Sequence, residues 1–247
     1  MTSHPFHRAV EDRFDDPSFA VLNWGLGTCL VILIGEGVVA LITNYGATLW
    51  LSRVAAVSGH AVAAARFPGL FGLLWRASTF LFVYYVISGY HQLPFRKAMG
   101  VVIPRAKWLA VAAGASGALV LLCVAWARLD GNSAFTSAPA NTDVLGIALY
   151  VVASCCTGPL VEELIFRGVL FPPLMKRWGL WAAILIVAGV FGLEHLGDPI
   201  GFLMAFVIGV CLTWLRAKSR SIIPCMLTHV TLNSVLSYPL IVALVRR

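Results

Sequence analysis

Apolar residues run along this chain in long unbroken blocks, not in two-residue alternation or as narrow amphipathic stripes. The blocks fall at 19–42, 68–90, 108–127, 143–171, 179–196, 200–216 and 222–244. A helix needs about 20 predominantly apolar residues to cross a bilayer, so the pattern predicts an all-α, polytopic transmembrane bundle of about seven spans. The fourth block ends at Pro172-Pro173, where proline's missing N–H and its ring argue against further helix. The fifth and sixth blocks are short and are joined by Gly197-Asp198-Pro199, a turn signal. Residues 43–67 are Ala-rich with Arg53 and Arg66, a pattern equally open to a surface amphipathic helix, a re-entrant piece or a loop.

Composition strengthens this picture. Of 247 residues, 60% are apolar and 12% charged, whereas a soluble domain carries about 25% charge. That excludes a soluble globular enzyme, a disordered chain and a nucleic-acid binder. The net charge of +7 is then read as basic loops facing the cytoplasm. The stretch 91–107 holds Arg96, Lys97, Arg105 and Lys107; 172–178 holds Lys176 and Arg177; 216–221 holds Arg216, Lys218 and Arg220. The alternate connections are poorer in basic residues. This bias puts the N-terminus in the cytoplasm; a multi-pass protein of a bacterial inner membrane or its equivalent is expected. Arg246 and Arg247 then fall outside, against the trend. Residues 1–18 are polar and carry Asp12, Asp15 and Asp16, unlike the basic start of a cleavable signal. Cys29, Cys123, Cys155, Cys156, Cys211 and Cys225 all lie in apolar stretches without paired metal-ligand spacing, and read as small buried hydrophobes.

The informative residues are polar groups inside these blocks. A charge at the bilayer centre costs about 2.5–3.5 kcal/mol on insertion scales, so it needs a partner or a task. The fourth block holds Glu162, Glu163 and Arg167; the fifth ends with Glu194 and His195; the seventh holds His229 and Asn233. Glu163 and Arg167 are four residues apart and can pair along one helix face. Glu162 sits about 100° further round and can meet a different neighbour. His229 and Asn233 again share one face. Such a set could activate a water and hold an oxyanion; imidazole with carboxylate could equally bind zinc; a buried network that only joins helices is the plain alternative. At 1.5 Å per residue, Glu162 and His229 lie roughly 14 and 11 Å from one end of their helices, but His195 roughly 24 Å.

Read in order, these residues spell EExxxR from Glu162 to Arg167, FxxxH from Phe191 to His195, and HxxxN from His229 to Asn233. In that order, on successive late membrane helices, they resemble the CAAX protease and bacteriocin-processing family, which includes the CAAX prenyl endopeptidases and the bacterial Abi proteins. The resemblance covers about residues 143–240. It divides the chain into 1–142, a tail and three spans without motifs, and 143–247, a catalytic core of four helices. It implies peptide-bond hydrolysis within the membrane, acting on a peptide or protein tail, lipidated or not. By analogy Glu162 and His195 activate the water, His229 and Asn233 stabilise the oxyanion, and Glu163 with Arg167 forms a supporting pair. The family has been described both as metalloproteases and as metal-free glutamate proteases. The metal-free form is favoured over zinc, because Asn is a poor metal ligand and a good oxyanion donor. Glu194 departs from the family pattern and is a candidate third carboxylate or substrate-binding charge.

Other readings compete. Gly114-Ala115-Ser116-Gly117 looks like a rhomboid serine motif, yet HxxxN comes last here, and small residues also serve close helix packing. HExxH and GxGD are absent. A proton-coupled transporter would use intramembrane Glu, His and Arg, and Glu36 with Arg76 would suit a relay or a structural pair between spans. A non-catalytic immunity or scaffold protein is a third reading. Trp50, Trp108, Trp178, Trp181, Trp214 and Tyr238 are expected as interfacial anchors.

Overall fold

A computed structural model describes residues 24–58, 60–129, 144–195 and 199–245. These are helical almost throughout. In chain order they form α1 (Leu26–Ser58), α2 (His60–Tyr84, prolonged by a π-helical turn at Tyr85–Tyr90), a single turn α3 (Phe95–Ala98), α4 (Ala106–Leu129), the long α5 (Val144–Trp178), α6 (Leu180–Leu193), α7 (Pro199–Ser219), α8 (Ile223–Leu236) and α9 (Tyr238–Val245). Among the described residues five helices are long and apolar enough to cross a membrane, while α6 and α8, at 14 residues each, are shorter apolar helices. The seven expected blocks are thus present, as five long helices and two short ones, and the chain is a polytopic membrane bundle. Only 11–33% of each long apolar stretch is buried inside the protein. The rest, including Leu30, Ile34, Leu41 and Leu81, faces outward where lipid would lie.

Three boundaries depart from the sequence pattern. Residues 43–67 are neither a loop nor a separate surface piece: α1 continues to Ser58 and α2 starts at His60. Ala-rich sequence favours this, since alanine has the best intrinsic helix propensity. The fourth block does not stop at Pro172-Pro173. A π-helical turn at Leu164–Leu170 ends there, and the helix restarts at Phe171 with proline in its first turn, where an N–H has no intrahelical partner to lose. The seventh block is broken at Ser237 (φ −94°, ψ 11°), just before Tyr238-Pro239, and α9 begins afresh. The start of the first block at 19–23 and the turn at 196–198 lie outside the described residues.

The core is built around α5. Phe166, Phe171, Ile184, Val187, Ile32 and Ile222 bury their side chains against one another from α1, α5, α6 and the start of α8. α6 and α7 form an extensive antiparallel pair, α2 lies along α5, and α4 lies along α8. The turn between α5 and α6 is made by Gly179 at φ 80°, a conformation that favours glycine. Two of the basic connections meet at one end of the bundle: the Ile222 N–H donates to the Gly100 carbonyl at 3.0 Å. Cys29, Cys155 and Cys225 are buried as expected; Cys156 is exposed, because consecutive helix positions such as 155 and 156 cannot share one face, and Cys123 and Cys211 are half-buried. Trp178, Trp181 and Tyr238 are exposed, whereas Trp108 and Trp214 pack edge to face on each other at 6.2 Å.

Candidate active site

The π-helical turns of α5 shape the polar centre. A π turn widens the helix and frees carbonyls from its own ladder. The Val169 carbonyl accepts from Trp24 Nε1 at 3.2 Å, and the Arg167 carbonyl accepts from Arg216 Nε at 3.3 Å. In the earlier π turn, at Val152–Thr157, the Ser154 carbonyl accepts from Asn233 Nδ2 at 3.0 Å. The freed carbonyls therefore tie α5 to its neighbours.

Glu163 and Arg167 form the pair their spacing predicts. Both are fully buried, and Arg167 Nη1 lies 2.9 Å from Glu163 Oε1. The guanidinium is used widely: Nη2 donates to the Gly209 carbonyl and Nε to Thr213 Oγ1, each at 3.3 Å, and its carbon stands 4.8 Å from the centre of the Phe191 ring. Glu163 Oε1 is shared with His229 Nδ1 at 2.8 Å. A carboxylate oxygen only accepts, so Nδ1 is the donor and Nε2 is left facing the site. Nε2 lies 3.8 Å from Glu162 Oε2.

Glu162 is different in kind. Its side chain is 27% exposed, and its other oxygen, Oε1, lies 3.8 Å from Arg76 Nη2 on α2. The 100° step between adjacent residues thus separates a sealed carboxylate from an open one. Glu162, Glu163, Arg167 and His229 form one ion-paired unit. Asn233 sits one turn beyond His229, with one of its two amide hydrogens on Ser154. His195 lies in the turn after α6 with its side chain exposed. Its ring is 5.9 Å from the Phe191 ring, which also meets the His229 ring edge to face at 5.8 Å. His195 thus stands on Phe191, the ring that also meets His229. Glu194, in the same turn, is within electrostatic reach of Glu162, Glu36, Arg76 and Arg167.

Arg76 is the residue that sequence reasoning misplaced: the ion pair in the structure joins it to Glu162. Glu36 remains within electrostatic reach of both. Ser116, the rhomboid-like serine, is buried in α4 and donates to the Ala112 carbonyl one turn back at 2.8 Å; that carbonyl also accepts from Thr228 Oγ1 of α8. It is a packing residue. Among the described residues no group of three or more His, Cys, Asp or Glu is placed to hold a metal ion. Glu162 and His229 Nε2 are two donors facing each other, where a catalytic zinc takes three protein ligands.

Residues 144–235 match the family model of the type II CAAX prenyl endopeptidases, Rce1-like. Over these residues the chain is similar to that family. Among curated relatives, it is 28% identical over 91 residues to "Putative membrane peptidase YdiL" of Bacillus subtilis (strain 168). The aligned stretch covers 37% of this chain and 37% of that relative. No solved structure matches the chain significantly. The matched stretch contains Glu162, Glu163, Arg167, His195, His229 and Asn233. α1, α2 and α4 lie outside it.

Proposed function

We propose that this protein is an intramembrane endopeptidase that hydrolyses a peptide bond near the end of a membrane-associated protein or peptide. The observation that carries this reading is the grouping of Glu162, Glu163, Arg167 and His229 inside apolar helices, within the stretch that matches the family model. Glu162 is the open carboxylate and acts as general base. It takes a proton from water as the water oxygen adds to the scissile carbonyl, and returns it to the leaving amine. His195, across Phe191, is the second group that meets this water. The oxyanion accepts from the second amide hydrogen of Asn233, and from His229 Nε2 when that ring carries both protons. Glu163 holds the His229 ring by Nδ1, and Arg167 holds Glu163. Glu194 supplies a charge at the mouth toward substrate.

The surroundings support a substrate class. An apolar groove of about 650 Å³ runs between α2 and α5, with Arg76 and Arg96 among its lining residues. It suits an extended tail entering from the membrane or the cytoplasmic side, with the N-terminus and the basic connections on that side. CAAX-type tails, lipidated or not, and other C-terminal tails fit this description.

The test is cleavage of a library of labelled tail peptides by the purified protein in lipid vesicles, with and without a zinc chelator. Chelator-resistant cleavage near the C-terminus is expected. No cleavage of any tail overturns the protease reading, and chelator inhibition reversed by zinc overturns its metal-free form. In the same assay Ser116→Ala is expected to cleave like the wild type. Its unfolding should shift by under about 1 kcal/mol, since one hydroxyl bonded back to its own helix is lost. Loss of turnover in a folded Ser116→Ala protein would instead point to serine chemistry.

A further inference from the structure

We propose that Arg76, which lies outside the family-matched stretch, is a positioning residue that completes the catalytic centre by holding the Glu162 carboxylate in its working orientation. The inference rests on the protease reading above. Three independent features of the structure lead to it.

The first is the way Glu162 is held. Its Oε1 faces Arg76 Nη2 and its Oε2 faces His229 Nε2, each at 3.8 Å. The carboxylate is thus stretched between α2 and α8, one oxygen to each. Both Glu162 and Arg76 are part-exposed, at 27% and 21%, so the pair stands at the open side of the unit and not in the sealed core.

The second is the room made for the guanidinium. Gly158 precedes Glu162 by one helical turn. A Cβ built there would lie 2.7 Å from Arg76 Nε and 3.0 Å from Nη2, so any larger residue would push the arginine off this path. Arg76 Nη1 bonds back to the Gly72 carbonyl at 3.4 Å, and its carbon stands 4.9 Å from the centre of the Trp75 ring. Its Nε is buried without a hydrogen-bond partner among the described residues. A purely structural arginine would be expected to use that donor; here the side chain is routed past it toward Glu162.

The third is the balance of charge. The groups facing Glu162 are Arg76 from α2, His229 from α8, Glu36 from α1, Glu194 after α6, and Glu163 with Arg167 on its own helix. Arg167 is committed to Glu163. Arg76 is therefore the cation placed among Glu36, Glu162 and Glu194. Without it, Glu162 Oε1 loses the cation that faces it and the carboxylate is held from the His229 side alone, in a medium where charges are weakly screened.

Misplacing a catalytic group by about 1 Å can cost about 10²-fold. Arg76→Ala is accordingly expected to lower kcat by about 10–100-fold with KM changed by less than about 3-fold. Arg76→Lys is expected to recover most of the loss, because the ammonium restores the charge if not the fork. Methylguanidinium added to the Arg76→Ala protein is expected to restore turnover in part, without acting on wild type. Glu162→Gln is run beside these variants. If wild-type cleavage depends on Glu162 but Arg76→Ala keeps its kcat within about 2-fold, the Arg76 role is wrong and the protease reading stands. If the Arg76→Ala protein melts earlier, and neither the lysine variant nor methylguanidinium recovers turnover, the arginine is structural and the inference is again overturned. If wild type cuts no tail, the protease reading falls and this inference with it; if the Glu162→Gln protein cuts as well as wild type, Glu162 is not the base and this inference falls while the protein remains a protease.

Discussion

Replacing Glu162 with glutamine is expected to lower peptide cleavage by about 10²–10⁴-fold, the usual contribution of a positioned general acid–base group, while the protein stays folded. The two halves of that expectation come from different features. Turnover should fall because glutamine keeps the shape but cannot take a proton from water, and the sealed neighbour Glu163 cannot stand in for it. The fold should survive because Glu162 is part-exposed and its two partners, Arg76 and His229, both stand off at 3.8 Å. No buried charge is left unpaired by its neutralisation. The measurement is single-turnover cleavage of the best tail peptide by both proteins in vesicles, with thermal unfolding followed in parallel. A folded Glu162→Gln protein that keeps more than about a tenth of wild-type turnover would fall outside this range and remove Glu162 as base. Loss of proton-coupled uptake, with no cleavage by either protein, would move the polar centre into the transporter class.

Much of this centre was legible in the sequence, for physical reasons. Charged residues are costly in hydrocarbon, so Glu162, Glu163, Arg167 and His229 stand out against their surroundings. Helical spacing alone pairs Glu163 with Arg167 and turns Glu162 elsewhere. What spacing cannot show is which distant helix supplies the partner. Arg76 and Glu36 fall in adjacent blocks, and sequence favours pairing neighbours; the structure brings Arg76 to Glu162 because α2 lies along α5. The π turns were also invisible. One residue's widening leaves no mark in composition, yet it carries α5 past Pro172-Pro173 and frees the Ser154 and Arg167 carbonyls that Asn233 and Arg216 use. Helix length was misjudged for the same kind of reason: the seventh block reads as one apolar run, and the break at Ser237 falls just before Pro239, which has no N–H to donate to the Val235 carbonyl one turn back.

The second large effect is on stability, at the sealed pair. Removing one partner of a buried ion pair costs about 3–5 kcal/mol, because an uncompensated charge remains. Glu163→Gln and Arg167→Met should each destabilise the protein by about that amount. Arg167 has more to lose than its charge partner, since Nη2 and Nε also satisfy the Gly209 carbonyl and Thr213. Glu163 has a second dependant: its Oε1 orients His229 through Nδ1, so glutamine there also weakens the hold on the imidazole, leaving a neutral acceptor in place of a charged one. The double variant Glu163→Gln with Arg167→Met should cost clearly less than the sum of the two, because no buried charge is then left alone. It should nevertheless turn over poorly, since His229 is held by a neutral acceptor that no arginine positions. Unfolding free energies of the wild type, both single variants and the double variant, measured in one detergent, close this cycle. Additive losses, or single losses under about 1 kcal/mol, would show that the pair is not sealed from solvent as its complete burial implies. Strong coupling in stability with turnover still low in the double variant would separate two roles of Glu163: it balances the charge of Arg167, and it aims His229 at the site where Glu162 works.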